Sequence, residues 1–324
     1  MKKHNNIFIA SLALLSLAAC ADDDYVAKSD GTVRVEARIA PQTRVNSNLT
    51  GDTWDSGDKI FVSNVSTNAV TGKKDGVYAY NGTAWSQSLT TDYPNYVVWA
   101  DGADGTNSFE AFYPYDAAVT TTSYTAFTLP EDQSTADKLK AADYMTASAS
   151  AAEGTEGKLS LNFKHEMVKV RLRIVEFKNR YAAKSPNFDV VTFNLPATQT
   201  SSKTITLPTS NKVTALKTDG TDNKNTYTAI LAPGKYDQGS ETNFFAELTD
   251  NNFIEPGTAK KLVERFTIKG TSILTEGLVA GKAYTFDVTV GKDTIYFNNV
   301  HILDWQRDTI KSGTAENSEY LNRH

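Results

Sequence analysis

An all-β protein of two tandem β-sandwich domains, mostly antiparallel, is the fold class this sequence predicts. Three observations point to it. Short runs that alternate apolar and polar residues recur along the chain, the period of a strand with one buried face. Thr, Val, Tyr and Phe are plentiful while helical stretches are scarce, as a pleated, half-buried surface favours. Asn, Asp, Gly, Ser and Thr fill the intervals, where turns need them. A chain of 324 residues remains long enough for two domains of ordinary size after a leader is removed.

The leader comes first. Lys2 and Lys3 precede an apolar run over residues 7–19, which ends in Leu17-Ala18-Ala19-Cys20. A charged start, an apolar centre and small residues before the cut describe a secretory signal peptide over residues 1–19. The run is too short for a membrane span, which needs about 20 residues. The cleavage site resembles the lipobox of bacterial lipoproteins, which implies that Cys20 becomes the mature N-terminus and carries lipid. The alternative is an ordinary signal peptide with a cysteine there by chance. Cys20 is the only cysteine, so no intrachain disulfide exists. Two or more acyl chains make a stable anchor, at about 0.8 kcal/mol per buried methylene. Asp22-Asp23-Asp24 resembles the surface-export signal of Bacteroidetes lipoproteins and implies an outer-membrane, cell-surface location. Residues 20–31 read as a polar tether. Loss of the leader removes two lysines and no acid, leaving 31 basic against 38 acidic residues. No basic run survives, which speaks against a nucleic-acid partner.

The first domain is predicted over residues 32–155. Val33, Val35, Ala37 and Ile39 alternate with Arg34, Glu36 and Arg38, giving a strand over 33–40 that Pro41 ends. A polar loop over 42–57 carries Arg44. Trp54-Asp55-Ser56-Gly57-Asp58 reads as a turn that feeds the strand Lys59-Ile60-Phe61-Val62. Further strands are expected at 76–80, 95–100, 108–113 and 124–129, and residues 136–145 read as loop. Residues 148–157, small and polar, mark a domain junction. The second domain is predicted over 156–311. It opens on Lys158 to His165, continues with Val168, Val170, Leu172 and Ile174 at period two, and has strands near 188–195, 203–208, 226–231, 243–249, 262–268, 283–290 and 294–304. Residues 312–324 form a polar tail.

No catalytic signature accompanies this pattern. There is no HExxH, no GxSxG and no phosphate-cradling Gly loop with its Lys. His165 has no His or Cys partner at metal spacing and reads as a hydrogen-bonded structural residue. No local motif marks the paired carboxylates of a glycosidase. Asp101-Gly102-Ala103-Asp104-Gly105 lacks the ligand spacing of an EF-hand and reads as a tight turn. The sequence therefore predicts no enzyme, no catalytic residue, no metal and no cofactor. Trp85, Tyr93, Tyr96 and Trp99 are candidates for stacking on a sugar if exposed, although most aromatics at strand parity are core.

Four motifs carry a family resemblance. They are Thr43-Arg44 followed by Trp54-x-x-Gly57-Asp58-Lys59-Ile60; Phe109-Glu110-Ala111-Phe112-Tyr113-Pro114-Tyr115; Asp143-Tyr144-Met145 leading to Leu161-x-Phe163-x-His165-x-Met167-x-Lys169-Val170; and Gly281-Lys282-Ala283-Tyr284-Thr285-Phe286 with Ile302-x-x-Trp305. In this order, and with the lipobox, they resemble the fimbrillin family of Bacteroidetes, the subunits and accessory proteins of type V pili. The resemblance implies two transthyretin-like β-sandwich domains, export as a lipoprotein, proteolytic removal of an N-terminal strand, and polymerisation by donor-strand exchange. It implies as partners other fimbrillin subunits, a trypsin-like or arginine-specific protease, the membrane through the lipid anchor, and a host or glycan ligand. On that reading a cut after Arg44 releases the strand bearing Val33, Val35, Ala37 and Ile39. Arg34 and Arg38 lie within the strand, where pairing shields them, whereas Arg44 sits in a polar loop open to nicking. The run at 294–304 reads either as a donor segment or as a permanent strand of the second domain. The alternative function is a monomeric surface lipoprotein that binds glycan or host protein.

Overall fold

A computed structural model describes residues 31–40, 53–100, 105–115, 125–153, 157–178, 186–219, 225–236, 244–254, 261–267, 277–291 and 294–305. In chain order the strands begin with β1 (Arg34–Ile39), β2 (Lys59–Asn64), β3 (Asp75–Tyr80), β4 (Trp85–Ser88), β5 (Asn107–Tyr113) and β6 (Ala126–Thr128). A short helix, α1 (Ala136–Ala141), precedes β7 (Met145–Ala151), β8 (Lys158–His165) and β9 (Val168–Phe177). Then come β10 (Val190–Asn194), β11 (Thr198–Gln199), β12 (Thr204–Thr206), β13 (Lys212–Thr214), β14 (Leu216–Asp219), β15 (Asn225–Leu231) and β16 (Gly234–Lys235). The last are β17 (Ala246–Ile254), β18 (Lys261–Phe266), β19 (Lys282–Gly291) and β20 (Thr294–Asp304). The fold is all-β, as the period-two runs predict.

Seven strands lie side by side in the order β1-β8-β7-β5-β2-β3-β4, and the end strands β1 and β4 approach each other. The sheet therefore curls around one buried cluster. A five-stranded sheet, β14-β15-β9-β19-β20, and a four-stranded sheet, β13-β10-β17-β18, carry the other large cluster. The rings of Phe193, Phe266 and Phe286 gather around Phe245 at its centre. Pairing is antiparallel except at β1/β8, β6/β12 and β9/β19.

Local sequence explains most of this. β8 buries every second side chain, Leu159, Leu161 and Phe163, and exposes Ser160 and Asn162 between them. β2 is apolar on consecutive positions because it is covered twice. Ile60 and Val62 face the first cluster, while Phe61 joins the second with Leu129, Leu139 and Tyr144. Sheet strands covered on both faces lose their alternation.

Three expectations are corrected. The junction expected at 148–157, with a second domain starting at 156, gives way to β7 and β8, both in the first sheet. The chain passes to the second sheet between His165 and Val168. β8 and β9 share one period-two pattern, so period cannot assign them to different sheets. The small residues Ala147, Ala149 and Ala151 line the first cluster rather than a linker. Residues 136–141 form a helix, with the Thr135 hydroxyl accepting from the Lys138 amide and Leu139 buried. Residues 95–100 contain one bridge, Val98 to Thr32, rather than a strand. The polar strand β4, Trp85-Ser86-Gln87-Ser88, carried no alternation to read.

Gln133 ties the segment around α1 to the second sheet. It is fully buried. Its side-chain amide donates to Ile230 O (2.9 Å), its carbonyl oxygen accepts from Ile230 N (2.7 Å), and its backbone N–H donates to Thr214 O (2.9 Å). Gln133→Ala orphans both Ile230 groups in the interior, so it is expected to lower stability by about 1–3 kcal/mol. Urea unfolding measures this, and an unchanged midpoint would contradict the tie.

Candidate functional site: the groove around the first strand

β1 is an end strand with one buried face. Val33, Val35, Ala37 and Ile39 are 4–8% exposed, whereas Arg34, Glu36 and Arg38 point to solvent. The buried face packs into the cluster that holds Leu159, Leu161 and Phe163 of β8 with Ile60, Val62 and Phe109. Full burial of a Val or Ile side chain is worth about 1.5–3 kcal/mol, so the apolar face is the main hold on the strand. The Lys158–Glu36 pair at 3.5 Å is exposed and adds little.

The two backbone edges of β1 are satisfied differently. Arg34 N donates to Gly157 O (2.8 Å) and Ala40 N to Phe163 O (2.7 Å), which turns the even residues toward the parallel partner β8. The odd residues face the other edge, and among the described residues no strand pairs along it. At its start Val33 N donates to Val97 O (2.9 Å), and Trp99 N donates to Gly31 O (2.9 Å). Farther along, side chains take over. The Tyr78 hydroxyl donates to Val33 O (2.9 Å), and the Trp54 indole N–H donates to Ala37 O (2.9 Å). Burial raises the Tyr78 pKa above the ordinary tyrosine range, so this hydroxyl stays a donor at neutral pH.

Trp54 is held from behind. Its ring meets Trp85, Tyr113 and Phe163 edge-on, with centroids 5.1–5.3 Å apart. The turn that follows is built on buried Asp58, which accepts from Asp55 N (2.8 Å) and from the Tyr113 hydroxyl (3.1 Å). Gly57 makes the turn at φ 96°, a conformation that favours glycine. Lys140 of α1 reaches both Asp58 (2.7 Å) and Asp55 (2.9 Å). A chain of contacts thus runs from α1 through Asp58 and Trp54 to β1. The sequence motif marked Trp54 and Asp58 as shapers of a turn, but the hydrogen bond to β1 had no sequence signal.

The other candidate residues fall as follows. Cys20 and Arg44, with residues 101–104 and 306–324, lie outside the described residues. His165 Nδ1 lies 2.7 Å from Asp143 Oδ1, and the His165 ring stacks on Trp305 at 4.0 Å. It is a buried structural residue, as the strand pattern indicated. Among the described residues no group of three or more His, Cys, Asp or Glu is placed to hold a metal. Of the sugar-stacking candidates, Trp99 is buried, Trp85 and Tyr93 are half-buried, and Tyr96 alone is exposed. Trp85 packs on Trp54 and Tyr80, Tyr93 on Phe61, and Trp99 on Phe109. The run at 294–304 is β20, an edge strand paired antiparallel along the whole of β19. Ile302 and Leu303 are exposed on it, and the buried Trp305 follows.

A family model described as fimbrillin-like matches residues 43–305. The match begins three residues after the described part of β1's segment ends, so β1 lies outside it. Among solved structures, a candidate cell adhesion protein from Bacteroides uniformis is 21% identical, with a TM-score of 0.57 over 86% of this chain and 99% of that one. A second from Bacteroides ovatus is 18% identical, with a TM-score of 0.55 over 86% and 98%. At these identities the likeness is one of fold. A search among curated proteins finds no match.

Ile39→Ala shortens the buried face at the end of β1 nearest the polar loop. It is expected to remove about 2–5 kcal/mol from the packing of this strand. Hydrogen exchange should show the amides of 34–39 opening far more often, and protection equal to the parent would contradict the picture of β1 as held by its apolar face.

Proposed function

The chain belongs to the fimbrillin-like family, and from that premise we propose that it is a pilus subunit of the cell surface, tethered by lipid on Cys20 and assembled by replacing β1 with a neighbour's strand. Membership makes it a structural protein rather than an enzyme. Its cell-surface, adhesive role accords with the solved proteins of the same fold, which are described as cell adhesion proteins.

The observation that carries the strand-replacement reading is the status of β1. It fills an apolar groove with four alternating side chains, yet among the described residues it pairs with a strand on one edge only. A cut after Arg44 separates it from everything that follows. Arg34 and Arg38 expose their side chains, but the backbone of the even residues is paired with β8, which keeps them from lying extended in a protease. Loss of β1 leaves β8 with an unpaired edge beside an open apolar groove, and each orphaned buried polar group costs about 1–3 kcal/mol. A strand from another subunit cures both defects, with backbone pairing giving affinity and alternate side chains giving register. The start of the family match at residue 43, just before Arg44, fits a mature subunit that lacks β1. In this reading two transthyretin-like sandwich domains surround the two buried clusters, with the division after His165. β20, committed to β19 along its length, does not serve as the donor within its own chain's folded state.

Limited trypsin digestion of the lipid-free chain tests this. The expected product starts at Val45, keeps its β-sheet circular dichroism, and forms filaments by electron microscopy. Complete resistance, cuts only elsewhere, or a trimmed chain that stays single and soluble would overturn the reading. Separately, Cys20→Ser is expected to abolish palmitate labelling and release the protein from the membrane fraction.

A further inference from the structure

The groove does more than offer apolar space. Three polar groups stand in line along its outer wall: Val97 O accepts from the Val33 amide, and the Tyr78 hydroxyl and Trp54 indole donate to the carbonyls of Val33 and Ala37. All three address backbone atoms, so they do not depend on the side chains of the strand that sits there. The two carbonyls are four residues apart on one edge, roughly 13 Å in an extended strand. An indole N–H donates and never accepts.

We propose that Trp54 and Tyr78 form a two-point clamp that selects the direction and register of whatever strand occupies the groove, admitting it only parallel to β8. The proposal rests on the reading of the groove as refillable. Along a strand edge, N–H and C=O alternate in an order set by chain direction. A strand running parallel to β8 presents N–H to Val97 O, then C=O to Tyr78, then C=O to Trp54 four residues on. A reversed strand meets these groups in the opposite order. Sliding it to return carbonyls to Tyr78 and Trp54 carries the adjacent amide away from Val97 O and moves its side chains off the positions of Val33, Val35, Ala37 and Ile39.

Apolar packing alone gives no such choice, because alternation of apolar residues reads the same in both directions. The clamp therefore supplies what the pockets lack. It also explains why Trp54 is braced by three rings and by the Asp58–Lys140 contact: a donor that chooses direction has to keep its own position when the groove is empty.

The test uses the trypsin-trimmed chain and two labelled peptides, one with residues 31–40 in their natural order and one with the same residues reversed. Fluorescence anisotropy measures binding, and the double variant Trp54→Phe/Tyr78→Phe keeps an aromatic ring at each position while removing both donors. The forward peptide is expected to bind at least about tenfold more tightly than the reversed one, a gap that two net hydrogen bonds supply. In the double variant the gap is expected to fall below about threefold, since each lost hydrogen bond removes a factor of that order. A forward peptide with a thioamide at the Ala37 carbonyl gives a second readout that leaves the protein unaltered, and it is expected to bind the unaltered groove more weakly. Equal binding of forward and reversed peptides, an unchanged gap in the double variant, or full affinity of the thioamide peptide would overturn the clamp. Failure of every peptide to bind would overturn the refillable groove itself, and with it the clamp.

Discussion

The organisation of this molecule around β1 follows from a single constraint: a buried or half-buried strand has two rows of backbone groups, and both need partners. β8 satisfies one row. The first sheet curls so that β4 approaches β1 without pairing with it, which leaves the second row to be met piecemeal. Proteins commonly protect an exposed edge with charge, a bulge or a covering loop. Here the cover is made of two side-chain donors and one bridge at Val98. Side chains can hold such an edge while leaving it uncommitted to any particular strand, and that is the property a replaceable element needs.

The sequence motifs are the packing nodes that make this arrangement rigid. The first and second motifs meet at Asp58, where the Tyr113 hydroxyl and Lys140 converge on the turn below Trp54. The third meets itself, with Asp143 beside His165, and the fourth joins it through Trp305, stacked on the His165 ring. Trp305 comes from the end of β20 in the second sheet and His165 from the end of β8 in the first. The neighbour of β1 is thus pinned at its far end by a residue that belongs to the other sheet. Gln133 adds a second tie between the helical segment and β15. Removing β1 leaves both ties in place, because neither one uses a residue of that strand.

How much of this was legible in the sequence depends on the length of the signal. Strands with one buried face, such as β1 and β8, announce themselves by alternation: the face of Val33, Val35, Ala37 and Ile39 is the buried one, and β8 buries Leu159, Leu161 and Phe163 at the same period. The helix α1 is about one and a half turns and buries only Leu139, too little for a periodic signal. The polar β4 pairs through its backbone and left no pattern. Which strands pair is a long-range fact. Arg34 and Lys158, partners in the parallel β1/β8 ladder, are 124 positions apart, so that ladder and the move of β8 into the first sheet had no local cue. The same holds for the candidate site. Val33, Val35, Ala37 and Ile39 were visible as a buried face, but the Trp54 and Tyr78 donors join residues 17 and 45 positions apart.

These facts bear on why a protease would be the trigger for exchange. While β1 is attached, it competes for its own groove at an effective concentration that for a short connection is on the order of millimolar. A strand from a second molecule, present at far lower concentration, loses that contest even with equal contacts. On the proposed reading, a cut at Arg44 leaves the packing of Val33, Val35, Ala37 and Ile39 as it is. It only turns the resident strand into a separate ligand that, once gone, is diluted. The Trp54 and Tyr78 donors reach backbone carbonyls of β1, so an incoming strand can keep both contacts whatever its side chains are. In that reading the newcomer fills the places of Val33, Val35, Ala37 and Ile39, and the ladder it forms, held by the same two donors, is lost only by breaking the β8 pairing along its length.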